Sequence, residues 1–190
     1  MKTSNLNGKK PEMKKLVEIF VMTALVVFLA IPVAAQHKYV GVTMCSVCHK
    51  TDKQGKQFDI WKSSAHASAF KTLESPKAEE IAKAKGLKVK ASEAPECLQC
   101  HVTGYGVDKS LTSSLKQEDG VQCESCHGPG SDYKSIPIMK DKAKAEAAGL
   151  VLATDDPKLC TQCHNSKSPS FKEFNYKASW DKIKHPIAAK

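Results

Sequence analysis

The chain has 190 residues, with 29 lysines, no arginine, 20 acidic groups and a formal net charge of +9. Residues 1–35 hold five of the lysines and two of the glutamates, so residues 36–190 carry +6. Without arginine's bidentate fork this charge reads as solvated surface with some steering of an acidic partner, and it excludes specific nucleic-acid recognition. Val, Leu, Ile and Phe make up 26 of the 155 residues from position 36 onward, below the roughly 20% of a chain with an ordinary apolar core.

From Met13 the sequence runs MKKLVEIFVMTALVVFLAIPVAAQ. Lys14 and Lys15 form a basic start, Ile19 to Val33 an apolar run broken only by Thr23 and Pro32, and Val33-Ala34-Ala35 a small-residue cleavage site. The run falls short of the about 20 residues of a membrane span. Residues 1–35 are therefore expected to be an export signal, with Met13 as an alternative true start. Residues 36–190 are expected to be one periplasmic domain, with membrane contact only if the N-terminal segment stays uncleaved.

Beyond the signal the predicted elements are helical. QFDIWKSSAHASAFKTL (57–73) places Phe58, Trp61, Ala65, Ala69 and Leu73 at helical spacing. In SPKAEEIAKAKG, Ser75 caps, Pro76 suits the first helical position and Gly86 stops the helix. VTGYG (102–106) and Gly120-Val121 read as turns or short extended pieces. Residues 140–148 predict a helix ending at Gly149, and Asp155, Asp156 and Pro157 open one that carries the next motif. A last helix near 178–184 ends at His185-Pro186, because the residue before proline disfavours helix. No run of alternating strands is evident. The expected fold is mainly α, with short helices and long irregular links.

All 8 cysteines fall in Cys-x-x-Cys pairs, each followed at once by histidine: CSVCH (45–49), CLQCH (97–101), CESCH (123–127) and CTQCH (160–164). With 7 histidines in the chain, four at those positions by chance is roughly two in a million. Structural zinc does not need a histidine there, nor does a redox dithiol. A c-type haem does: two thiols add to its vinyl groups and the adjacent imidazole takes the iron. The pattern predicts four covalently bound haems, on Cys45 and Cys48, Cys97 and Cys100, Cys123 and Cys126, and Cys160 and Cys163. Their proximal ligands are His49, His101, His127 and His164. Four large apolar macrocycles also supply the missing core. Gly128-Pro129-Gly130 after the third motif is expected to let the backbone turn against the porphyrin.

Three histidines remain for the sixth positions: His66, His185 and His37. Four irons thus share at most three distal imidazoles. At least one iron is left to Met139, Tyr133, water or nothing.

CSVCHK, IWKSSAHASAF, CLQCHVTGYG, GVQCESCHGPG, CTQCH and the late His185 together resemble the tetrahaem cytochrome c-554 family over nearly all of residues 36–190. The resemblance implies a periplasmic, mostly helical protein with closely stacked haem pairs that exchanges electrons with other cytochromes. It implies distal roles for His66 and His185 and an open iron on His101. A distal histidine soon after CHGPG is expected in this family, yet no histidine lies between His127 and His164. His37, Met139 or Tyr133 replaces it, or a second iron is open.

The function expected is electron relay between redox proteins or cytochromes through closely spaced haems, not an enzymatic reaction. The alternative is an enzyme that reduces NO, hydroxylamine or a related nitrogen oxide at an open iron. It needs acid or base groups beside that iron, and no such constellation is evident in the sequence. A haem sensor would need an output domain for which the chain has no room.

Overall fold

Helices in this protein are short, and serine and aspartate side chains bonded to the nearby backbone set several of their ends. The computed structural model describes residues 36–152 and 157–186. The expected export segment, residues 1–35, lies outside the described residues. Eleven short α-helices follow one another: α1 (Val42–His49), α2 (Gln57–Lys62), α3 (Ala69–Thr72), α4 (Pro76–Ala84), α5 (Pro95–His101), α6 (Lys109–Thr112), α7 (Glu124–His127), α8 (Ile136–Met139), α9 (Lys142–Ala147), α10 (Lys158–Thr161) and α11 (Tyr176–Ile183). Two 3-10 turns, Asp52–Gln54 and Gln117–Asp119, lie between them. No strand occurs among the described residues.

The helix α4 starts and stops as its sequence predicts. The Ser75 hydroxyl accepts from the Ala78 N–H, Pro76 fills the first turn, and Gly86 adopts φ 71° just past the end. Helix α11 begins at Tyr176 under an Asn175 cap, slightly ahead of the expected start.

The single helix expected over 57–73 is two short helices joined by a turn, so His66 is not mid-helix. Serines explain the break. The Ser63 hydroxyl donates to the carbonyls of Asp59 and Ile60, and the Ser64 hydroxyl to that of Trp61, competing with the helical ladder. A distant segment then fixes the turn: the Val121 N–H donates to the His66 carbonyl, and the Trp61 indole N–H donates to the Val121 carbonyl at 2.8 Å.

The helix expected at 140–148 forms as α9, which starts at Lys142 because Asp141 caps it by accepting from the Lys144 N–H. Helix α10 ends at Thr161, so Cys163 and His164 lie beyond it.

Apolar packing is concentrated in one cluster of Phe70, Leu73, Ala82, Ala91, Leu98 and Val102, with Ala78, Leu87 and Cys97 against it. It joins α3, α4 and α5 beneath the second motif. Outside it the buried residues include the polar Thr103, Gln122 and Glu124. Gln122, 2% exposed, accepts from the Val42 N–H and donates to the Lys116 carbonyl. Its own N–H donates to the Thr103 hydroxyl, which also bonds Ser125.

Candidate haem centre

The four Cys-x-x-Cys-His motifs sit at helix ends. The first occupies the end of α1 and the second the end of α5. The third begins at the N-cap Cys123 and fills α7, while the fourth begins on α10 and leaves it. One helical turn puts the two cysteines of a pair on one face, and the histidine then stands at the helix end.

The motifs approach one another in a definite order. Cys45 and Cys123 share a hydrogen bond, which with burial pushes the Cys45 thiol well above its ordinary range. Cys163 is pushed up to about 12 by burial and then by its bond with Cys100. Burial, followed by the charge of Cys160, raises Cys126. First and third motifs are therefore neighbours, as are second and fourth, and third and fourth. All eight cysteines are free of disulfides.

Each histidine has a distinct setting. His101 Nδ1 lies 2.7 Å from the Ala69 carbonyl and His127 Nδ1 2.9 Å from that of Val151. His49 Nδ1 is 3.4 Å from Gln57 Oε1, and the Gln57 amide also donates to the Pro186 carbonyl. Donation through Nδ1 leaves Nε2 as the nitrogen with a free lone pair. The ring centres of His66 and His164 are 6.0 Å apart, and those of His127 and His185 are 5.7 Å apart. Burial, followed by the charge of His164, lowers the pKa of His66. Burial, then His127 and more weakly His49, lowers that of His185, and burial lowers that of His164. All three rings are thereby biased to the neutral form that binds metal.

Comparison with known proteins points one way. The family model "Cytochrome c554 and c-prime" matches residues 44–128. Cytochrome c-554 of Nitrosomonas europaea is 31% identical over 159 residues, 80% of this chain and 65% of that relative. The chain is similar to the cytochrome c-554 family. The solved reduced state of cytochrome c554 from Nitrosomonas europaea matches with a TM-score of 0.53 and 26% identity, over 78% of this chain and 79% of that one. The C-type polyheme cytochrome OmcC of Geobacter sulfurreducens is 28% identical over 92 residues, 42% of this chain and 11% of that protein. This chain thus spans 65% and 11% of the lengths of these two curated relatives. The names of these relatives describe c-type cytochromes, one of them polyheme, and so point to covalently bound c-type haem.

The residues fit such a group. An imidazole nitrogen binds a metal at about 2.0–2.1 Å and lies about 1.2 Å from its ring centre, so two rings on opposite sides of one iron have centres roughly 6.4–6.6 Å apart. The two histidine pairs, at 6.0 and 5.7 Å, stand slightly inside that spacing. A bare-ion site fits less well: among the described residues no three His, Cys, Asp or Glu side chains converge on a metal position. No helix of the described residues is long and apolar enough to cross a membrane.

Sequence reasoning passed over the residues that set this geometry. Glu124, an ordinary position inside CESCH, is 3% exposed. Its carboxylate accepts from the Val40, Gly41 and Gly130 N–H groups at 2.9, 2.8 and 2.7 Å. Nothing in one sequence separates it from a solvated glutamate. The glycines of CHGPG are closely approached by the chain itself. A Cβ on Gly128 would meet the Gly149 carbonyl at 2.9 Å, and one on Gly130 would meet Val40 at 2.9 Å. It is protein that crowds them. Tyr133, 6% exposed, donates its hydroxyl to the Gly128 carbonyl at 2.7 Å. Met139 ends α8, half-buried.

Proposed function

We propose that residues 36–190 are an exported, periplasmic c-type cytochrome holding four haems and relaying electrons between redox proteins. Cys45 and Cys48, Cys97 and Cys100, Cys123 and Cys126, and Cys160 and Cys163 attach the haems, and His49, His101, His127 and His164 are the proximal ligands. His66 serves the iron of His164, and His185 that of His127. The separation of these two ring pairs carries the reading. Each bound haem supplies an iron that takes up and releases one electron.

The chain contributes three things. Carbonyls of Ala69 and Val151 and the amide of Gln57 hold proximal Nδ1 atoms and so orient the rings. Burial keeps His66 and His185 neutral. The neighbouring cysteines of different motifs support haems close enough for direct exchange. His101 has no ring partner among the described residues, and its Nδ1 faces a backbone carbonyl.

A pyridine haemochrome assay on the purified holoprotein should give four haems per chain; another number overturns the reading. Electron paramagnetic resonance of the ferric protein should show low-spin irons, with CO shifting the reduced spectrum of only an uncapped one. Steady turnover of NO or hydroxylamine would move the conclusion to an enzyme.

The position of His66 offers a further check. Gly120 has φ 63°, and a Cβ there would lie 2.6 Å from the His66 carbonyl and 3.2 Å from that of Ala67. Gly120→Ala combines left-handed strain with a backbone clash. It should displace the 63–68 turn and convert one low-spin iron to high spin while the haem count stays the same. An unchanged spin state would show that His66 does not ligate.

A further inference from the structure

The strongest unassigned feature is the setting of His37, which residues near a chain end do not ordinarily have. Residues 37–42 lie along the third motif, tied at every step. The Lys38 N–H donates to the Ser131 hydroxyl, and the Ser131 N–H to the Lys38 carbonyl. Val40 and Gly41 donate to buried Glu124, and Val42 to buried Gln122. At the end of this strap His37 Nδ1 stands 2.8 Å from Asp132 Oδ2. The other Asp132 oxygen accepts from the Ser131 hydroxyl. Among the described residues the lysine–carboxylate pairs all join positions three or four apart. His37–Asp132 is the ion pair that joins distant segments, 95 positions apart.

We infer that His37 is the sixth ligand of the iron held by His49, and that Asp132 is its positioning residue. This rests on the haem attachment proposed above. With Nδ1 donating to the carboxylate, Nε2 carries the lone pair, and the carboxylate makes that nitrogen a stronger donor. The ring tip is held against the backbone: a Cβ on Gly149 would lie 3.5–3.6 Å from Nε2, Cδ2 and Cε1.

The choice of iron follows from neighbours. His164 and His127 already have His66 and His185 as ring partners, which leaves the irons of His49 and His101. The strap leads directly into the first motif, where the Cys45 thiol points to the Gly41 carbonyl at 3.7 Å. Tyr133, next to Asp132, lies within electrostatic reach of Cys45 and Cys123. Through Tyr133, the segment that carries Asp132 reaches the place where the first motif meets the third. His101, packed on the α3–α5 side with its Nδ1 on Ala69, is left uncapped.

The test uses the holoprotein, wild type beside His37→Ala and Asp132→Asn, with haem counted in each. A count below four in the wild type would sink the attachment reading, independently of His37. With four haems present, His37→Ala should roughly double the high-spin ferric signal and the CO-binding fraction, and added imidazole should bring it to the spectrum that the wild type gives with imidazole. Equal high-spin signals in His37→Ala and wild type would overturn the inference. Asp132→Asn keeps a polar partner for the ring, so it tests the pair without removing the ligand. It should leave that iron low-spin, shift its resonance signature and raise the midpoint potential of one haem alone. Identical potentials and spectra in Asp132→Asn would show that the carboxylate does not position the ligand.

Discussion

A haem-free preparation of this chain is expected to show little of the helical circular dichroism of the holoprotein and no cooperative transition in urea. The described residues bury eleven apolar side chains, five of them alanines. Only Val42, Phe70, Leu73, Leu98, Val102 and Tyr133 are larger, and burying each contributes about 1.5–3 kcal/mol. Helices of four to nine residues are marginal alone in water. The remaining cohesion must come from the macrocycles, whose apolar area substitutes for the missing Leu, Ile and Phe. The check is far-ultraviolet circular dichroism on chain made without haem attachment, or with all eight cysteines changed to serine. A native-like helical spectrum with a sharp urea midpoint would disprove it.

The second large effect is expected from Glu124→Ala. That change leaves three N–H groups without an acceptor, and those of Gly41 and Gly130 are buried. A buried donor left unsatisfied costs about 1–3 kcal/mol, so with two of them the holoprotein should lose on the order of 2–6 kcal/mol. The urea midpoint should fall while the haem count holds, and the strap around Tyr39 should become sensitive to protease. Glu124→Gln keeps one acceptor oxygen but turns an amide N–H₂ toward backbone donors, so an intermediate loss is expected. A midpoint within error of wild type for Glu124→Ala would show that the strap is held by its other bonds.

The fold class and the cofactor were legible because they rest on local rules. Four Cys-x-x-Cys-His repeats name their chemistry by residue type and spacing, and Ser75, Pro76 and Gly86 bound a helix by capping and left-handed geometry. The break between Lys62 and Ala69 was not legible. Apolar spacing continues through it, and the decisive bonds come from Val121, more than fifty positions on. The role of Glu124 was hidden for the same reason, since its three partners lie in two other segments. His37 shows the limit from the other side. The sequence offers it only as one of three remaining histidines, and the placement of Asp132 gives it an anchor.

The strap also bears on how the molecule is put together over time. Gly41, Val42 and His37 are secured by residues 83, 80 and 95 positions later in the chain. A ribosome delivers the first motif long before Gln122, Glu124 and Asp132 exist. The first motif is therefore the earliest to be made and among the last to be finished, waiting on contacts of high sequence separation. Any chain cut before residue 122 would carry a first motif whose setting never closes.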